Sequence, residues 1–88
     1  MLQINHTANQ IGEDQVEVTV SYDSYVEKFR FGLEYHSKIF PVIVVQLEEY
    51  DLNPSVETIM LQYAQDAAEL WMLYNSEKYN RAMVENYG

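Results

Sequence analysis

Residues 15–35 read Gln15-Val16-Glu17-Val18-Thr19-Val20-Ser21-Tyr22-Asp23-Ser24-Tyr25-Val26-Glu27-Lys28-Phe29-Arg30-Phe31-Gly32-Leu33-Glu34-Tyr35. Val16, Val18, Val20 and Tyr22 alternate with Glu17, Thr19 and Ser21, the period of a strand with one dry face and one wet face. The period returns after Tyr25, with Phe29, Phe31, Leu33 and Tyr35 inward and Lys28, Arg30 and Glu34 outward. Asp23-Ser24 between them predicts a tight turn, although it lacks the glycine that two-residue hairpins favour. Such a turn sets Val18 against Phe29, Val16 against Phe31 and Glu17 against Arg30. Apolar pairs and the charge pair agree on one register, which is the condition for a well-specified hairpin.

On the C-terminal side, His36-Ser37-Lys38 predicts another turn. Ile39 to Leu47 is rich in β-branched residues and reads as a third strand, with Pro41 marking an edge or a strand start. Phe40, Val42 and Val44 would join Phe31 and Leu33 on the inner face. That leaves Ile43, Val45 and Leu47 pointing outward, so this strand is apolar on both sides. A partner or a second copy covering that outer stripe is one reading. A short helix starting at Pro41 is the alternative, for which continuous apolarity is ordinary. On the N-terminal side, Leu2 and Ile4 alternate with polar neighbours and could form a short edge strand. Thr7 to Asp14 is polar and reads as a loop.

Pro54 to Tyr74 switches to helical spacing. Val56, Ile59, Met60, Tyr63, Ala64, Ala67, Leu70, Trp71 and Tyr74 predict the main apolar stripe, with a thinner line through Leu61, Ala68 and Met72. Asn53 or Ser55 suits the N-cap, Pro54 the first turn, and Glu57 the positive end of the helix dipole. Asn75 is placed to end this helix in the left-handed conformation, and Ser76 to cap a second helix over Glu77 to Tyr87. The expected fold is a single α+β domain over residues 1–88. A three-stranded antiparallel meander, four-stranded if the N-terminus adds an edge, is followed by two C-terminal helices packed on one face.

Fourteen Asp and Glu against five Lys and Arg give a formal charge of −9. Such a chain is repelled by nucleic acid and by anionic membranes, so a macromolecular partner should present a basic surface. The absence of cysteine excludes disulfides and thiolate metal sites and suits a reducing compartment. No basic-then-apolar signal segment is seen at the N-terminus, and the apolar run Ile39 to Val45 is too short to span a bilayer. A cytoplasmic protein is therefore expected.

The catalytic inventory is thin. His6 and His36 stand alone in polar surroundings, and no metal-ligand spacing or phosphate-binding glycine loop appears. Glu48, Glu49, Asp51 and Asn53 lack the glycine turn and terminal glutamate of a calcium loop. No enzyme, cofactor or metal site is expected. The eight tyrosines are more suggestive, because tyrosine is enriched where proteins bind proteins. Tyr22, Tyr25 and Tyr50 lie near turns or acids, where their rings would be exposed.

In size and composition the chain resembles the small acidic proteins with which phages block host defence, the DNA-mimicking anti-restriction and anti-CRISPR proteins. The resemblance implies a non-enzymatic inhibitor acting in the host-cell cytoplasm. Its carboxylates would stand in for phosphates on a basic channel of a nucleic-acid-handling protein. The expected partner-binding residues are Glu48, Glu49, Tyr50, Asp51, Glu57, Asp66 and Glu69. The rival expectation is a structural subunit that forms a homodimer through Ile43, Val45 and Leu47.

Overall fold

A computed structural model describes residues 3–35, 42–49 and 56–87. Four strands, β1 (Ile4–Gly12), β2 (Gln15–Tyr22), β3 (Tyr25–Tyr35) and β4 (Val42–Gln46), form one antiparallel sheet in chain order. Two helices, α1 (Val56–Asn75) and α2 (Glu77–Tyr87), follow and pack on it, giving a two-layer α+β fold. The predicted N-terminal turn of α1 at Asn53, Pro54 and Ser55 lies outside the described residues.

The central hairpin keeps the predicted register. Val18 pairs with Phe29, Val16 with Phe31 and Glu17 with Arg30. Asp23 supplies the turn in place of glycine by adopting φ 54°, a left-handed conformation that Asp tolerates because its short carboxylate can bond locally. Val16, Val18, Val20, Phe29 and Phe31 are fully or almost fully buried. Each such side chain contributes about 1.5–3 kcal/mol relative to exposure. Val44 and Val42 of β4 stand opposite Leu33 and Tyr35, so the third predicted strand is a strand and its inner face is as expected. Phe40 lies outside the described residues.

Two elements differ from the sequence reading. Residues 4–12 form a nine-residue strand where a short strand and a loop were expected. β1 is mostly polar because it is an edge: only Ile4 and Ala8 pack against the core, while Asn5, Thr7 and Asn9 face solvent. On its inner face the half-buried Ile4 and Ala8 are separated by the exposed His6, so no two-residue apolar period appears in the sequence. The turn to β2 again uses an aspartate, Asp14 at φ 54°.

The second difference is the rotation of α1. Its buried line is Met60, Ala64, Ala68 and Met72, spaced four residues apart. Two alanines at the centre let the helix backbone approach the sheet closely, and the methionines fill the space at either side. Ala68 and Met72, read as the minor line, are thus core. Ile59, Leu70 and Tyr74, read as core, are 61%, 55% and 78% exposed.

The two helices meet at one residue, Ser76, which is buried. Its Oγ accepts from the Tyr79 N–H at 3.3 Å, capping α2 as expected. The same hydroxyl donates to Asp14 Oδ1 at 2.6 Å, tying the helix junction to the β1–β2 turn. Asn75 does not take the left-handed conformation; its amide donates to the Trp71 carbonyl at 2.9 Å. Asn80 donates to the Leu73 carbonyl at 2.9 Å. Side-chain amides thus satisfy the carbonyls left at the end of α1, so no left-handed residue is needed there.

Candidate functional site

The predicted acidic residues are divided between the two layers of the molecule. Glu48 lies beyond β4, where Arg30 on the outer sheet face donates to it at 3.2 Å and to Glu17 at 3.1 Å. Glu49 follows, exposed, and Tyr50 and Asp51 lie outside the described residues. Glu57 sits half-buried in the first turn of α1. Asp66 and Glu69 are on the helix layer, exposed and one turn apart.

Those last two are brought together with apolar side chains. Asp66, Glu69, Leu70 and Leu73 of α1 and Tyr79 and Met83 of α2 line an open groove of about 280 Å³ along the helix seam. Gln65 fixes one rim, with its amide donating to Glu69 Oε1 at 3.2 Å and to the Val44 carbonyl at 3.0 Å. Asp66 has no cationic partner among the described residues.

A second acidic site escaped the sequence reading. Glu13 and Asp14 at the β1–β2 turn face Lys78 in the first turn of α2, at 3.9 Å and 3.6 Å. With Gln15, Leu33, Tyr35 and Leu47 they line a recess of about 180 Å³. Tyr35, then Glu13 and Asp14, hold the Lys78 ammonium above the usual lysine range by favouring its charged form. Residues 14 and 78 are 64 positions apart in the chain, so only the tertiary fold joins them, and no local pattern could have shown it.

The cations are largely consumed inside the chain. Arg30 holds Glu17 and Glu48, Lys78 holds Glu13 and Asp14, and Arg81 pairs with Glu77. The cationic ends are more than half exposed in every pair, so the pairs add little stability, but they leave the excess of carboxylates unopposed elsewhere. His6 Nδ1 lies 3.0 Å from the Tyr63 hydroxyl, with the two rings edge to face at 5.3 Å. His36 lies outside the described residues. Among the described residues no group of three His, Asp or Glu is placed to hold a metal ion, and no helix is long and apolar enough to cross a membrane.

The outward residues of β4 are partly covered by their own sheet. Ile43 and Val45 are half-buried, standing opposite Glu34 and Gly32. Leu47 remains 42% exposed and folds over Gly32, where an added Cβ would lie 2.8 Å from its Cδ2. Among the tyrosines, Tyr25, Tyr35 and Tyr74 are exposed, whereas Tyr22 packs against the core.

Fold and surface together define a small, acidic, two-layer α+β domain. Comparison with family models, with curated proteins and with solved structures gave no match.

Proposed function

We propose that this chain is a non-enzymatic inhibitor or adaptor that binds a basic surface of a nucleic-acid-handling protein. The reading rests on one observation: a formal −9 chain whose Arg30, Lys78 and Arg81 are each tied to its own acids. What remains for a partner is mostly carboxylate, with Lys28 exposed on β3. The groove between the helices is the contact surface of choice, because Asp66 and Glu69 rim an apolar floor there. Arginine or lysine on the partner would meet the rim while an apolar side chain fills the floor. Glu48 and Glu49 belong to a separate patch on the sheet side, so a nucleic-acid mimic would use one patch or the other.

The test begins with capture of a partner from the native host at low salt, followed by titration of the purified pair. Affinity should fall as salt rises, and Asp66→Asn/Glu69→Gln should flatten that dependence. An affinity indifferent to salt would remove the electrostatic reading. The rival reading, an assembly subunit paired with its own copy, draws less support from the half-covered Ile43, Val45 and Leu47 than from the opposite edge of the sheet.

A further inference from the structure

β1 is the edge strand at the far side of the sheet from β4, and among the described residues no strand pairs with its outer edge. Its sequence, Ile-Asn-His-Thr-Ala-Asn-Gln-Ile-Gly, contains no Lys, Arg, Asp, Glu or Pro. Those are the residues with which proteins ordinarily protect a free edge. In a chain that is nearly one-sixth acidic, a nine-residue uncharged strand is a local exception. Of the two edge strands, both free of carboxylates, it is the longer one and the one no helix side chain caps among the described residues. Two copies, each formally −9, could therefore approach along it without setting carboxylates against one another.

The helix layer above this edge repeats the exception. Tyr63 reaches His6 of β1, whereas Gln65 reaches Val44 of β4, so the Tyr63 side of α1 lies toward the β1 edge. Ile59, Leu70 and Tyr74 fall four residues before, seven after and eleven after Tyr63, on that same side. They are the exposed apolar residues of α1 already noted. Together these three side chains offer on the order of 400 Å² of accessible area, the size of the largest single patch that a monomer ordinarily leaves open.

We propose that two copies of this chain pair antiparallel through β1, extending the sheet to eight strands and bringing the two α1 stripes together. The regular part of β1 runs from Ile4 to Gln10, before the bulge at Ile11. A two-fold axis at its midpoint, Thr7, sets Thr7 against Thr7, Asn5 against Asn9 and Ile4 against Gln10. No like charges meet, and threonine pairs are favourable across strands. The strand and the stripe together approach the roughly 800 Å² per partner of a standard stable interface. This surface meets the acidic groove only at Leu70, so variants at Thr7 and Tyr74 test the pairing without altering the groove on which the proposed function rests.

Sedimentation of the intact chain across the micromolar range tests the pairing. The expected species has twice the 10.4 kDa chain mass, and added salt should tighten it by screening repulsion between the copies. Tyr74→Glu on the helix and Thr7→Lys on the strand are exposed substitutions, with circular dichroism as the check on folding. Each should raise the dimer dissociation constant about tenfold or more. Val45→Glu on the outer face of β4 should leave it unchanged. A monomer at every concentration, a dimer insensitive to either of the first two variants, or one dissolved by Val45→Glu would overturn the proposal.

Discussion

The two edges of the sheet are built by opposite rules. β4 is five residues long and apolar on both faces, and on sequence alone it is the strand most prone to association. The fold protects it. Gln65 takes the Val44 carbonyl, α2 packs against the strand, and Leu47 closes over Gly32 on its outer side. β1 is longer and polar, yet its free edge carries neither a charge nor a cover among the described residues. Hydrophobicity along a strand therefore identifies what the chain must hide, while the uncovered surface is found where the pattern is weakest.

The largest expected effect is in stability, and it contrasts the centre of the sheet with the β1 edge. Phe31 lies buried opposite Gln46 of β4 and Val16 of β2, and Phe31→Ala should cost about 3–5 kcal/mol. Ala8→Gly in β1 should cost only about 0.5–1 kcal/mol. Urea unfolding of both variants measures the difference; equal losses would mean that β1 is as firmly embedded as the centre of the sheet. Ser76→Ala comes next, at about 1–2 kcal/mol, because it removes the α2 cap and leaves Asp14 without its donor. The same titration reads it, and a neutral result would dissociate the β1–β2 turn from the helix junction.

Gln65→Ala should cost about 1 kcal/mol by uncapping the Val44 carbonyl. It should also speed aggregation through β4, measured by light scattering at a temperature where the native chain stays clear. Lys78→Met should have the smallest effect, since more than half of the side chain is exposed to solvent. Lys78 is raised by Tyr35, Glu13 and Asp14, so what it contributes is present at neutral pH and is lost as pH rises through its folded-state value. The urea midpoints of parent and variant should therefore converge in strong alkali. A gap that widens there would reverse the sign.

Much of the fold was legible in the sequence because apolar period and charge pairing agreed. Val16, Val18, Phe29 and Phe31 set the hairpin, and Glu17 with Arg30 confirmed it from the wet side. The face of α1 was harder to read. Hydropathy ranks Ile59 and Leu70 above Ala64 and Ala68, but close approach to a sheet selects for small side chains, and the alanines won. β1 was legible only at its start, where Ile4 was read as part of a short edge strand, because an edge strand needs few apolar residues and Thr7 to Gly12 looked like a loop. The candidate site was legible only in part. Asp66 and Glu69 are helical neighbours by spacing, whereas the separation of Glu48 onto the sheet layer and the meeting of Asp14 with Lys78 depend on the tertiary fold.

The contrast between the edges is tested most directly by amide hydrogen exchange, read residue by residue in dilute and in concentrated solution. Concentration should slow exchange along Ile4–Gln10 and leave the amides of Val42–Gln46 unchanged. Slowing confined to β4, or exchange in β1 that does not depend on concentration, would contradict the assignment of the open edge.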